Sequence, residues 1–187
     1  MWDFIKKYSY DAVKMLVTQI AIAIFGFVLV LACSMAKNND LRLICSIGAV
    51  VFYLFLIYTM VWEMGAKDSI AVEYGRLPYQ PRKGLYIALM ANLINWVLAV
   101  GIILGFVFSN VSFFSTAGGL CASIGIFIQG MFSGILALHV GDTPLNAMPF
   151  IYLLTPLPAL ITAWVGYLLG LKNVKFTKLF DYKPSKK

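Results

Sequence analysis

The sequence predicts an all-α, polytopic integral membrane protein, a single helical bundle with five hydrophobic helices. Hydrophobic residues make up 61% of the 187-residue chain and charged residues only 12%, and the mean hydropathy is +0.85. Soluble proteins carry about 25% charged residues, so this chain has more apolar surface than a soluble domain of its size could bury. The apolar segments also lack the polar–apolar alternation of a transmembrane β-barrel. We therefore expect one membrane domain over residues 1–187.

Each of the five apolar segments has the length that a membrane-crossing helix needs. A helix rises about 1.5 Å per residue, so about 20 residues cross the ~30 Å of bilayer hydrocarbon. The last segment contains Pro156 and Pro158, which remove backbone donors and kink or interrupt a helix. The predicted helices are residues 15–36, 41–62, 85–108, 119–138 and 149–171.

Thirteen of the fifteen basic residues lie in three of the segments that flank these helices, and the other two, Lys37 and Arg42, lie at the turn between the first two helices. Residues 1–14 form an interfacial segment with three lysines, residues 63–84 a loop with four basic residues, and residues 172–187 a tail with six. The connections 109–118 and 139–148 contain no Lys or Arg. Because basic residues favour the cytoplasmic side, the N-terminus, the loop and the tail are expected there, against the anionic headgroups of the cell membrane.

This charge distribution favours an even number of crossings. Five complete crossings would place the two ends of the chain on opposite faces. One segment is therefore expected to be re-entrant or broken, either the glycine-rich 119–138 or the proline-containing 149–171. Such backbone occurs at membrane depth only where protein or a water-filled cavity shields it. Four and five full crossings both remain open from the sequence.

Four amide side chains lie within the apolar segments and form the candidate ligand site. Asn92 and Asn95 share one helix face, and Trp96 lies four residues after Asn92. An unsatisfied polar group in hydrocarbon costs several kcal/mol, so the amides need partners. These partners are either other helices or a ligand. We predict Gln19, Asn92, Asn95, Trp96 and Gln129 as ligand-binding residues.

Two further groups of residues are candidates for contacts with other molecules. Gly130 and Gly134 form a GxxxG pair that permits close helix packing, either within the bundle or against another membrane subunit or a second copy of the chain. The loop supplies a set of residues that either contact headgroups or dock a cytoplasmic partner: Arg76, Tyr79, Arg82 and Lys83.

Several kinds of chemistry have no support in the sequence. No acidic or basic residue lies in the middle of an apolar segment, which disfavours proton relays and most ion-coupled carriers. We find no HExxH, GxSxG or P-loop motif, and the three cysteines have no metal-ligand spacing. The net charge of +7 comes from residues flanking apolar runs, so we assign it to lipid and not to nucleic acid. No metal and no cofactor are predicted.

The function expected from these observations is that of a small-molecule binding or transport subunit without catalytic chemistry of its own. One alternative is a non-transporting assembly, regulatory or immunity-type interaction protein. Another is an intramembrane enzyme acting on lipid through His139 and Asp142. These residues do not match the motif of any named protein family. The size and the even-number threading are similar to those of the substrate-capturing subunits of vitamin transporters, a similarity of architecture alone.

Overall fold

The computed structural model describes residues 2–35 and 39–174, and this part of the chain is nearly all-α, which confirms the helical part of the prediction. Two short strands, β1 (His139–Val140) and β2 (Thr143–Pro144), form an antiparallel hairpin. Short 3-10 turns lie at Gly130–Phe132, Leu145–Ala147 and Pro149–Leu153. The helices are α1 (Trp2–Met35), α2 (Asn39–Glu73), α3 (Lys83–Ala91), α4 (Leu93–Val107), α5 (Ser112–Ile128), α6 (Ser133–Leu136) and α7 (Leu157–Leu171).

Three of the five predicted segments are helices that are long and apolar enough to cross a membrane, and the other two are bent helix pairs. Within residues 2–35 and 39–174, three such spans are Tyr8–Cys33, Asp40–Glu73 and Pro149–Leu171. Two further helix pairs are long and apolar enough only when their members are taken together, and both pairs are bent. The bend is 50° between α3 and α4 and 83° between α5 and Gly130–Leu136. The described residues thus contain three spans, or up to five if each bent pair is one span.

Two segments are bent where the sequence predicted one. The first bend, at Asn92, has a local cause. The Asn92 side chain donates through Nδ2 to the Ala88 carbonyl oxygen at 2.9 Å, the same oxygen that accepts from the Asn92 backbone N–H. An asparagine that competes for a backbone acceptor four residues earlier disturbs a helix at that point.

The polar stretch 63–84 was predicted as a loop, and this is wrong for most of its length. Residues 63–73 extend α2, and residues 83–84 begin α3, so the connection is only 74–82. Charged residues do not end a helix, whereas Gly75 does so with a positive φ of 67°. Gly75 N–H donates to the Val72 carbonyl and Arg76 N–H to the Ala71 carbonyl, which is a Schellman C-cap.

Two other predicted boundaries also change. Residues 8–14 of the interfacial segment belong to α1, because Tyr8, Ala12, Met15 and Gln19 follow one buried helix face. Residues 112–118 of the predicted polar turn form the start of α5, where Gly118 packs closely on Gly105 of α4. Residue 36 of the first predicted helix and residues 175–187 of the tail lie outside the described residues.

Close contacts define how the long helices run. Gly166 of α7 lies against Tyr58 and Val61 of α2, and Gly170 lies against Trp62 and Ala66. The later glycine of α7 contacts later residues of α2, so α2 and α7 run in the same direction. Since α1 and α2 are joined by the short connection 36–38 and pack along their lengths, they run in opposite directions.

The two ends of the bundle are marked by different contacts. Lys83 of α3 forms an ion pair with Asp68 of α2 and lies 4.2 Å from the ring centroid of Tyr8 of α1. Tyr167 of α7 donates to the same Asp68 carboxylate at 2.6 Å. We call this the Lys83 end. At the opposite end, the Cys33 end, the thiols of Cys33 (α1) and Cys45 (α2) lie 3.2 Å apart.

The segment 112–136 turns round in the middle of the bundle. The end of α5 reaches α1 at mid-length, where the Phe127 and Phe27 rings are 5.6 Å apart. After the 83° bend, Gly134 lies against Ser46 of α2, nearer the Cys33 end. Ser46 Oγ donates to the Met131 carbonyl at 2.5 Å and accepts from Ile135 N–H at 3.3 Å, so a side chain satisfies backbone groups freed by the bend.

The glycine contact between α2 and α7 gives a testable prediction. A Cβ at Gly65 would collide with the Tyr167 carbonyl oxygen and crowd the Gly170 backbone, whereas a Cβ at Gly48 of the same helix meets nothing within 4 Å. We expect Gly65→Ala to lower the free energy of unfolding by about 1–3 kcal/mol. Gly48→Ala should raise it by about 0.5–1 kcal/mol. Unfolding of the purified protein in detergent measures both, and equal effects would contradict the close α2–α7 packing.

Candidate binding site in the helical bundle

Asn92 and Asn95 lie at the junction of α3 and α4 and are bonded to each other. Both are buried, with 0% and 1% of their surface exposed. Asn95 Nδ2 donates to Asn92 Oδ1 at 2.9 Å. With Asn92 Nδ2 on the Ala88 carbonyl, this leaves Asn95 Oδ1 as a buried acceptor without a partner among the described residues.

Gln19 and Trp96 add two more buried atoms that lack partners. Gln19 lies on the buried face of α1 with 2% of its surface exposed, and its Oε1 accepts no hydrogen bond from the described part of the chain. The indole Nε1 of Trp96 is likewise buried and donates to no described acceptor. The side chains of both residues therefore place unsatisfied polar atoms inside the bundle.

The contact between Tyr8 and Lys83 fixes the relative depth of these residues. Gln19 follows Tyr8 by three helical turns, about 16 Å along α1. Asn92 and Asn95 follow Lys83 by about 14 and 18 Å along α3 and the start of α4, neglecting the bend. Because α1 and α3 start from the same end and pack together, the three amides lie at the same level of the bundle.

Tyr53 of α2 lies within about one helical turn of this level, toward the Cys33 end, and was not predicted from the sequence as a site residue. Gly26 of α1 and Ala49 of α2 lie side by side, and Tyr53 is one turn from Ala49 toward the Lys83 end. Only 1% of Tyr53 is exposed, and its hydroxyl is buried without a described partner. In the sequence it is one of several aromatic residues near the end of the second apolar run, which predicted a membrane-interface position.

We call Gln19, Tyr53, Asn92, Asn95 and Trp96 the polar layer. Its unsatisfied atoms are complementary in kind: Gln19 Oε1 and Asn95 Oδ1 are acceptors, and the Tyr53 hydroxyl and Trp96 Nε1 are donors. Each such atom costs about 1–3 kcal/mol if it stays unpaired, and buried polar groups in folded proteins nearly always have a partner or an ordered water. The layer is therefore suited to hold water or a small molecule that both donates and accepts.

Gln129, the fifth predicted ligand residue, lies next to the layer at the bend after α5. It is 3% exposed, and its Oε1 accepts from Thr155 Oγ1 at 3.0 Å. The following residue, Gly130, lies against Ala23 of α1, one turn from Gln19. Gln129 also lines a cavity of about 170 Å³ with a second set of residues: Gly125, Ile126, Ser133, Leu136, Asn146 and Tyr152.

The GxxxG glycines contact helices of the same chain. Gly130 lies against Ala23 and Phe27 of α1, and Gly134 against Arg42 and Ser46 of α2. The absence of side chains lets the 3-10 turn and α6 approach the two long helices closely. Association with another subunit or a second copy through this pair remains a prediction.

The four loop residues separate into two environments. Arg76, Tyr79 and Arg82 are exposed at the Lys83 end, where they are free to contact headgroups or a partner. Lys83 is 8% exposed and paired with Asp68 at 2.5 Å, so it joins helices and does not share that surface. This pairing could not be predicted from residue spacing, because Asp68 and Lys83 are separated by a turn whose geometry the sequence does not define.

The described ranges hold no cluster of potential metal ligands. Residues 2–35 and 39–174 contain no cluster of three or more His, Cys, Asp and Glu side chains that could hold a metal ion. His139 and Asp142 are exposed at the β1–β2 hairpin, outside the bundle.

Comparisons of the chain with protein-family models, with curated proteins and with solved structures found no match.

The buried ion pair gives a second prediction. Lys83→Met leaves the Asp68 carboxylate without its cation, and breaking one partner of a buried pair costs about 3–5 kcal/mol. We expect Lys83→Met to lower the free energy of unfolding by about 3 kcal/mol. Its neighbour Arg82 is exposed, so Arg82→Met should change stability by less than about 0.5 kcal/mol. Unfolding in detergent of both variants tests this, and similar small effects would contradict a stabilising role of the pair.

Proposed function

We propose that this protein crosses the membrane four times and binds a small, uncharged, polar molecule at the polar layer, without catalytic chemistry of its own. The observation that carries the proposal is the set of buried, unsatisfied atoms on Gln19, Tyr53, Asn95 and Trp96. The residues of the layer bear no formal charge, so an ion would remain unpaired there, whereas a molecule with both donors and acceptors would satisfy them.

The outward surface of the helices supports residence in a membrane. On α1, Val17, Phe25 and Val28 are each more than half exposed, and on α4 and α5 the same is true of Val97 and Phe127. Apolar side chains exposed along whole helices would make a large hydrophobic patch in water, but they match the hydrocarbon of a bilayer.

The contacts at the Lys83 end support four crossings. The start of α1, the connection 74–82 and the end of α7 lie together at that end. A chain that begins and ends on one side crosses an even number of times. In this threading, α1, α2, the α3–α4 pair and Pro149–Leu171 cross, while 112–136 enters from the Cys33 end and returns to it. The connection with Arg76 and Arg82 is then cytoplasmic by the charge rule.

Labelling of single cysteines distinguishes this threading from five crossings. In a variant lacking Cys33, Cys45 and Cys121, we expect Asp142→Cys to react with a membrane-impermeant maleimide in intact cells. Tyr79→Cys and Lys172→Cys should react only after lysis. Five crossings would reverse the pattern at positions 142 and 172 and leave that at 79 unchanged.

The polar layer predicts passage or binding of small neutral solutes, for which urea and glycerol are suitable probes. Proteoliposomes should take up labelled urea or glycerol faster than protein-free liposomes. Asn95→Leu removes one acceptor worth about 1 kcal/mol, so uptake should fall about fivefold. Gly119→Leu is the control, because a side chain at Gly119 meets nothing within 4 Å.

The stability of the same variant separates an occupied layer from a dry one. If the layer holds water or a ligand, Asn95→Leu removes a satisfied group and lowers the free energy of unfolding. If Asn95 Oδ1 is unpaired, the substitution removes one buried penalty but also takes the donor from Asn92 Oδ1, so the two effects offset and the free energy of unfolding changes by less than about 1 kcal/mol. Unchanged stability together with uptake equal to that of empty liposomes would contradict the proposed function.

A further inference from the structure

We infer that the cavity beside the bend at Gln129 is a binding site for a small, uncharged molecule that presents a carbonyl or similar acceptor oxygen to the Gln129 side-chain amide. The inference rests on the proposed function and adds to it a second position for the solute, on the Cys33 side of the polar layer. Its residues are not part of the polar layer, and its ligand chemistry follows from its own walls.

The cavity exists because the segment turns. The 83° bend separates the axis of α5 from that of α6, and the chain from Asn146 to Tyr152 lies across the space between them. Its volume is about 170 Å³. At roughly 30 Å³ for each water molecule, that space holds about five waters or a solute of similar size.

The chemistry of the walls selects an uncharged acceptor. The lining residues carry no formal charge, so neither a cation nor an anion would find a counter-charge there. Gln129 Oε1 lies 3.0 Å from Thr155 Oγ1, whose single proton is shared between this oxygen and the Tyr152 carbonyl oxygen at the same distance. The Gln129 NH₂ group is the amide donor that can serve a solute. Ser133 Oγ donates to the Gly130 carbonyl, so this hydroxyl keeps its acceptor capacity.

The apolar part of the walls favours a solute with a hydrocarbon portion. Ile126 and Leu136 flank the cavity, together with Tyr152, whose hydroxyl donates to the Asn146 carbonyl at 3.4 Å. An apolar pocket with a few fixed polar groups is the usual form of a small-molecule site. The fitting solute therefore has one acceptor oxygen and a small apolar portion, as in a short-chain amide or ketone.

The position of the cavity connects it with the polar layer. Asn146, on its wall, is exposed, and the adjacent β1–β2 hairpin is exposed as well. Gly130, beside Gln129, touches Ala23, one turn of α1 from Gln19. A solute that reaches Gln129 from the Cys33 side thus lies one helical turn, about 5–6 Å, from the level of the polar layer.

Gly125 is the lining position at which a side chain can be added. A Cβ at Gly125 would have only Ile102 Cδ1 of α4 nearby, at 3.8 Å, which is an ordinary van der Waals contact. Because Gly125 lines the cavity, we expect a leucine there to reduce the space available to a solute. Gly119 of the same helix provides the matched control, because its Cβ would meet nothing within 4 Å and Gly119 does not line the cavity.

The experiment uses side-chain amide signals and acetamide as the probe. The chain has three glutamines: Gln19 in the polar layer, Gln129 in the cavity and the exposed Gln80. Full-length protein labelled with ¹⁵N-glutamine in lipid nanodiscs gives a side-chain NH₂ signal for each, assigned by loss in the Gln→Met variants. We expect acetamide to shift the Gln129 signal saturably while the Gln80 signal changes only in proportion to concentration. Gly125→Leu should abolish the saturable shift and Gly119→Leu should preserve it.

The outcomes separate this inference from the proposed function. A Gln129 signal that changes only as Gln80 does overturns the inference. If Gln19 still responds saturably in that case, the proposed function stands without the cavity; if neither responds, both fail. A saturable Gln129 shift that persists in Gly125→Leu also overturns the inference, since acetamide would then bind outside the cavity.

Discussion

The contact of Lys83 with Asp68 determines much of the arrangement of this bundle. Lys83 begins α3, Asp68 lies near the end of α2, and Tyr167 near the end of α7 donates to the same carboxylate. Three helices therefore meet at one pair of charges, and the ammonium also lies over Tyr8 of α1. A buried ion pair stabilises only when its remaining hydrogen-bonding capacity is used, and the Tyr167 hydroxyl meets part of that requirement. This junction also sets the register of α1 against α3, and with it the depth of Gln19 relative to Asn92 and Asn95.

Close glycine contacts and helix bends together determine how the interior of the bundle is packed. Gly65 and Gly170 let α2 and α7 pack backbone to backbone, and Gly105 and Gly118 do the same for α4 and α5. The two tightly packed pairs are connected through the bends at Asn92 and Gln129. Polar groups freed or introduced at these bends are satisfied by side chains such as Ser46, whose hydroxyl serves both Met131 and Ile135. Buried atoms of Gln19, Tyr53, Asn95 and Trp96 remain without a partner among the described residues.

Sequence reasoning predicts the features that depend on local composition and misses those that depend on side chains meeting across the fold. Charge depletion and apolar length were sufficient to predict a helical chain with several long apolar segments. They failed at residues 63–73, because the helix continues through charged residues until Gly75 caps it. The amides were identifiable as buried because nothing polar surrounds them in the chain. Tyr53, Thr155 and Asp68 were not, since an aromatic, a threonine and an acid near helix ends are common and only tertiary contacts give them a role.

The same distinction explains why the bend at Gln129 was predictable only as an alternative. Glycine permits both a straight, tightly packed helix and a broken one. The sequence around Gly125, Gly130 and Gly134 is therefore compatible with either form. The positions of the packing partners decide between a straight and a bent helix. Gly130 packs against Ala23 and Gly134 against Ser46, and these two partners lie on two antiparallel helices. A straight continuation of α5 could not meet both, so the chain turns by 83° and opens the cavity beside Gln129. The candidate site is thus a consequence of helix packing and not of a sequence motif.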